Sequence, residues 1–216
     1  MIERPDAKAT ARILPRFISW CVDQGAASDV AASLAEGLAS RYQEPGRHYH
    51  HLGHIASSLA ELNLQQTSDK LLEGAIWFHD VIYDPKGHDN EDASIRWFRE
   101  QTAGWIAEDT RDAICRLIEA TDFRKPRRDE PSEALMIDID LAILSSLPEV
   151  YLAYTRAIRL EYSHVPEDAF CAGRAKVMEH FLSQPIYRTE SFLIREEAAR
   201  ENIRRELERL TGEQKP

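Results

Sequence analysis

Histidine is the residue with chemistry to offer in this chain. Four of its eight histidines fall within seven positions, His48, His50, His51 and His54, and a fifth, His79, stands beside Asp80 in the apolar run AIWFHDVIYD. An imidazole and a carboxylate among Ile76, Trp77, Phe78, Val81 and Ile82 are costly to bury unless something satisfies them. A bound cation is one solution, because imidazole nitrogen and carboxylate oxygen both ligate Mn, Fe, Co, Ni or Zn. A third block, LMIDIDLAIL, places Asp138 and Asp140 in another apolar stretch. Each block alone has a plainer reading, as solvated histidines near a turn or as a satisfied core pair. The three together point to a metal site.

Spacing constrains how such a site is built. Neighbouring helical residues diverge by about 100°, so His79 and Asp80 cannot share one helix face, and other helices must bring the remaining ligands. His50 and His54 are four apart and share a face if that segment is helical, although Gly53 weakens the helix there. Asp138 and Asp140, two apart, point in nearly opposite directions, so only one of them can turn to a shared ion.

The elements that must position these groups read as helices throughout. Apolar residues recur at three- and four-residue steps in Ile13, Phe17, Trp20 and Cys21, and again in Leu34, Leu38 and Tyr42. A further helix follows the histidine cluster. Others are expected at 68–83, with Ser68 as N-cap, and at 90–105, 109–121, 132–147, 148–162, 166–182 and 189–210. No stretch alternates apolar and polar residues long enough to predict a strand, and no repeat recurs at a fixed period. Loops are expected at 43–50, 84–90 and 123–131, and the terminal TGEQKP is expected to fray. Trp77, Trp97 and Phe98 read as core rather than as a base-stacking platform. The fold class expected is all-α: a single domain over 1–216, with a core of about 40–145 and C-terminal helices over 148–210.

Composition narrows the function. With 216 residues the chain is long enough to bury about 70% of its unfolded surface without a disulfide or a structural metal. Twenty-seven basic against 37 acidic residues leave a net charge of −10, which disfavours a nucleic-acid polymer or an anionic membrane as partner. Three widely spaced cysteines and no CxxC speak against a disulfide framework or thiolate zinc site. The N-terminal stretch lacks the apolar core of a signal peptide, and no apolar run reaches the roughly 20 residues of a membrane span, so a soluble, cytoplasmic protein is expected.

The order H…HD…D, carried by RHYHHLGHI, WFHDVIYDP with NEDAS, and IDIDLAIL, resembles that of the HD superfamily of metal-dependent phosphohydrolases. Specifically, these blocks resemble a small bacterial family of predicted HD phosphohydrolases, and the similarity runs over roughly 40–190. The resemblance implies an all-helical HD-domain-like bundle in which His54, His79 and Asp80 are metal ligands. Asp140 is the fourth, because Leu141 and Leu144 continue the superfamily's helical register after it; Asp138 stays open as the alternative. YHHLGH also resembles the YHNxxH block of cyclic-nucleotide phosphodiesterases, whose first histidine donates a proton. That maps onto His50, with His51 where the block has Asn.

The implied chemistry is hydrolysis of a small phosphate ester, most readily a nucleotide, with a divalent Mn, Co, Ni, Fe, Zn or Mg ion. His50 is the candidate acid, and Glu91, at the junction leading into the next helix, the candidate carboxylate near the attacking water. The bland reading of Glu91 is a first-turn acid complementing the helix dipole. Arg47 and Arg174 are the candidate phosphate contacts, with Lys86 and Arg159 as further cations. The run Arg124, Lys125, Arg127, Arg128 reads as a solvated loop. Two other functions compete: a non-catalytic metal- or nucleotide-binding regulatory module, and an HD-type di-iron oxygenase, whose second ion would draw on His51, Asp84, His88 and Glu91.

Overall fold

The computed structural model describes residues 7–65, 67–128 and 130–212, with side chains from residue 13 onward. The described residues are all-helical, as expected: eleven α-helices and one 3-10 helix, without a strand among them. None of these helices is long and apolar enough to cross a membrane. The residues from Glu213 on, where fraying was expected, lie outside the described set. The chain groups into two compact units, one ending at Met136 and one beginning at Ile137.

The first unit holds α1 (Ala7–Asp23), α2 (Ser28–Tyr42), α3 (Leu52–Leu64), α4 (Lys70–Phe78), α5 (Asn90–Thr102) and α6 (Glu108–Glu119). Helix α4 runs through its middle and packs against α1, α3, α5 and α6, with every residue from Leu72 to Phe78 buried. Its apolar side chains meet Phe17, Trp20, Ile55, Leu59, Phe98, Ile114 and Ile118 in one core. Edge-on and tilted aromatic contacts join Phe17 to Trp77, Phe17 to Phe78, and Phe78 to Phe98. Trp77 and Phe98 are therefore core, as read from the sequence.

Two expectations about α4 are corrected. Its N-cap is Asp69 and not Ser68: the carboxylate accepts from the amides of Leu71 at 2.8 Å and Leu72 at 3.2 Å. The helix also stops at Phe78, five residues short of the expected end, so the loop before α5 begins at His79 rather than at Asp84. The segment before α3 is likewise a turn through His50 and His51. His51 caps α3, its Nδ1 accepting from the Gly53 amide at 2.8 Å.

The second unit takes in the end of α7 (Pro131–Asp140), a 3-10 helix (Leu141–Ser145), α8 (Pro148–Glu161), α9 (Glu167–Leu182), α10 (Glu190–Leu193) and α11 (Glu196–Thr211). The helix expected over 132–147 gives way to 3-10 geometry at Leu141. There the Tyr187 hydroxyl donates to the Leu141 carbonyl at 3.0 Å and the Asn202 amide to the Leu144 carbonyl at 2.9 Å, so side chains take over carbonyls that a continuing α-helix would use. The helix expected over 189–210 is two, broken at Ile194 and Arg195, with the Arg195 amide bonded to the Phe192 carbonyl.

Gly74 sits where α1 and α6 both press on α4. A Cβ there would lie 2.6 Å from Cζ2 of Trp20 and 2.9 Å from Cδ1 of Ile114, and the indole has no flexible end to move aside. Gly74→Ala gains about 1 kcal/mol of helix propensity but pays overpacking of about 1–3 kcal/mol, so we expect a lower denaturation midpoint at unchanged m-value. A raised midpoint would show that the core yields at this point.

Candidate metal centre

Where α4 ends, its last residues turn into the site. His79 keeps an α-helical backbone and a helical bond from its amide to the Ala75 carbonyl, but Asp80 already lies in the turn. The departure from helix removes the 100° divergence that would hold the two side chains apart. His79 Nε2 and Asp80 Oδ2 are 3.2 Å apart. From α3, His54 brings its Nε2 to 3.1 Å from His79 Nε2 and 3.6 Å from Asp80 Oδ2. Both imidazoles are buried and the carboxylate is largely so. His54, His79 and Asp80 thus bring two ring nitrogens and a carboxylate oxygen within 3.6 Å of one another, a buried set able to chelate a metal ion.

The donor set fits that role. The Nδ1 of His79 lies 3.0 Å from the Ile76 carbonyl, which can only accept, so Nδ1 carries a proton, and a metal ion would take the place of the proton on Nε2. Metal–nitrogen bonds of about 2.0–2.1 Å separate neighbouring ligand atoms by about 2.9–3.4 Å in octahedral or tetrahedral geometry. The 3.1 and 3.2 Å separations fall in that range. Burial pushes the Asp80 carboxyl up, but the charges of His79, His50 and His54 and the hydrogen bond from His79 outweigh it and hold the group well below the usual carboxylate range.

Stopping a helix in a core exposes main-chain groups, and several of them are met by side chains from other segments. The Tyr42 hydroxyl donates to the Trp77 carbonyl at 2.9 Å. Arg47 donates to the carbonyls of Asp80 at 2.6 Å, Val81 at 2.9 Å and His50 at 3.1 Å. Ser94 Oγ accepts from the Ile82 amide at 3.1 Å and donates to its carbonyl at 3.2 Å. Asn90 does the same for Asp84, at 3.0 and 2.9 Å.

Arg47, expected at the phosphate, is buried and spends both terminal nitrogens here, on three carbonyls and on Glu44. It ties the histidine loop to the turn after α4. His50 lies beside the cluster although it is not helical: its ring is 6.1 Å from that of His54 and stacks on Tyr83 at 4.1 Å. Glu91, in the first turn of α5, pairs with Arg124 at 3.2 Å. Burial first, and the nearby Asp122 and Asp80 carboxylates with it, raise its carboxyl above the ordinary value despite Arg124.

In the second unit, Asp138 and Asp140 have separate surroundings. Asp138 is buried, and its carboxylate accepts from the amides of Arg188 at 3.1 Å and Thr189 at 2.7 Å and from the Thr189 hydroxyl at 2.6 Å. It is committed to fixing the chain before α10. Asp140 ends α7 and is half-buried. Arg174 is held by Glu206 at 2.8 Å and by the Tyr154 hydroxyl at 3.0 Å.

Tyr42, Tyr83, Ser94, Asn90, Asp122 and Arg124 were not singled out for the site from sequence. Only the NEDAS block, which holds Asn90, Glu91 and Ser94, gave a signal for any of them. Comparison with family models, with curated proteins and with solved structures finds no match.

Removing the Asp138 carboxylate leaves buried donors unpaired at a cost of about 1–3 kcal/mol each, so Asp138→Ala should lower thermal stability sharply. Metal content per folded chain should not change. Loss of the ion at unchanged stability would make Asp138 a ligand instead.

Proposed function

We propose that the chain is an HD-type metal-dependent phosphohydrolase acting on a small phosphate ester, with a nucleotide as the first substrate to test. The observation that carries this reading is the convergence of His54, His79 and Asp80. Asp140 is proposed as the further carboxylate ligand. The commitment of Asp138 to Arg188 and Thr189 supports that choice over its neighbour.

A divalent ion held by this set supplies Lewis acidity, lowering the pKa of a bound water and offsetting charge at phosphorus. The chain's own residues do the rest. His50, stacked on Tyr83 and with its carbonyl held by Arg47, is proposed to protonate the leaving oxygen; its position beside the cluster supports the role. Glu91 remains partly accessible to solvent and is proposed to accept a hydrogen bond from the attacking water. Arg47 acts through the loops it ties, as a brace rather than as a phosphate ligand. Arg174 is kept as a proposed phosphate contact on its charge alone.

Protein freed of metal and restored with Mn, Co, Ni, Fe, Zn or Mg should bind about one ion per chain and release phosphate from a nucleotide panel under strictly anaerobic conditions. His79→Ala and Asp140→Ala should lose the ion, whereas His180→Ala should retain it. Full occupancy in the His79 variant would sink the site. An iron-only, oxygen-consuming protein would favour an oxygenase, and an inert protein with its ion in place a binding module.

His50→Ala should slow hydrolysis of a natural ester about 10²–10⁴-fold at unchanged metal content. The loss should shrink for a nitrophenyl ester, whose leaving group needs little protonation. Equal losses on both would mean that His50 positions rather than donates.

A further inference from the structure

The loop over 123–131, read from sequence as solvated, carries a basic side chain that reaches Glu91. Asp122 is buried at its start, and Arg124 wraps back on it: Nε donates to Oδ1 at 2.7 Å, Nη2 to Oδ2 at 2.9 Å, and the Arg124 amide to Oδ1 at 3.1 Å. The same Nη2 lies 3.2 Å from Glu91 Oε2, and Nη1 donates to the His88 carbonyl. One guanidinium nitrogen therefore bridges two carboxylates that come from segments over 30 residues apart. Lys125 borders the group, 3.4 Å from Asp92 and 3.1 Å from Glu119.

Glu91 also belongs to the metal-centre side of the unit. Asn90 before it and Ser94 one turn after it are the residues that bond Asp84 and Ile82 in the chain leaving Asp80. A carboxylate pair of this kind, next to a His/His/Asp cluster, is what a second ion would bridge. Here a fixed monovalent cation occupies the bridging place. Two of the other donor atoms a second ion could draw on already have partners: His51 Nδ1 accepts from the Gly53 amide and Asp84 Oδ1 from the Lys86 amide at 2.9 Å.

We propose that Arg124 is the built-in cation of this centre: its guanidinium takes the place between Glu91 and Asp122 that a second metal ion would fill, and so holds the centre to one ion. The inference rests on the metal-centre reading above. A second ion would have to displace a planar cation that makes two bonds to Asp122, one to Glu91 and one to a carbonyl, and would meet its charge on the way in. Arg124 is a positioning residue in this scheme, orienting Glu91 without touching substrate.

The test counts ions. Metal-free chain is saturated with Mn²⁺, dialysed and analysed for metal per folded chain, with calorimetric titration alongside. Wild type should hold one ion, lost in His79→Ala. Arg124→Ala should take up a second, weaker ion, which Glu91→Gln in the same chain removes again. Arg124→Lys, which keeps a cation there, should stay at one. Retention of the first ion shows that each variant is folded, and Arg124→Gln, whose amide can still bond Asp122, replaces Arg124→Ala if that variant is not. Two ions in wild type, or one ion in both folded neutral variants, would overturn the proposal and leave the hydrolase reading standing. No ion in wild type would instead overturn the metal centre itself.

Discussion

The site depends on helix α4 ending inside the core. A buried helix can stop only where its freed carbonyls and amides find other partners, since each unpaired one costs free energy comparable to a lost hydrogen bond. Over Ile76–Asp84 those partners include His79 itself and, from other segments, the side chains of Tyr42, Arg47, Ser94 and Asn90. With the bonds exchanged in this way, the backbone leaves helical geometry after His79, and the imidazole and carboxylate of successive residues can turn to one point. The aromatic core beneath, centred on Trp77 and Phe78, keeps the end of α4 from shifting.

Charge is handled in the same economical way. Asp80 stays anionic although burial opposes it, because imidazoles stand around it. Arg47 is buried, and its charge is met by Glu44, by carbonyl acceptors and by the faces of Tyr42 and Tyr83, at 5.2 and 5.8 Å from the ring centres. Arg124 does the opposite, reaching from the surface to a buried carboxylate. Two arginines thus serve the same neighbourhood, one by holding backbone and the other by holding acids.

In the second unit, Asp138 and Asp140 show how little separates a structural carboxylate from a candidate ligand. Helix geometry turns them to different sides. One finds the amides before α10, and that alone accounts for its burial. The Tyr151–Glu206–Arg174 chain in the same unit is also satisfied internally, with Tyr154 against the guanidinium.

The sequence by itself determined the helical class, because a 3.6-residue apolar period can bury only a helix face, and it marked His79 and Asp80, because such groups in an apolar run need a partner; His54 was joined to them by the family resemblance. It also placed the charged loops correctly between helices. What it could not show was where α4 ends: Val81 and Ile82 continue the apolar pattern past Phe78, and nothing local announces the stop. That boundary is set by Tyr42, Arg47 and Ser94, residues 12 to 35 positions away from their backbone partners, which compete for the carbonyls and amides only once the helices have packed. The same holds for Arg47 and Arg124. Sequence shows a cation near a candidate site, but only tertiary structure decides whether it meets a carbonyl, an acid or a substrate, because each outcome depends on which oxygen lies within about 3 Å.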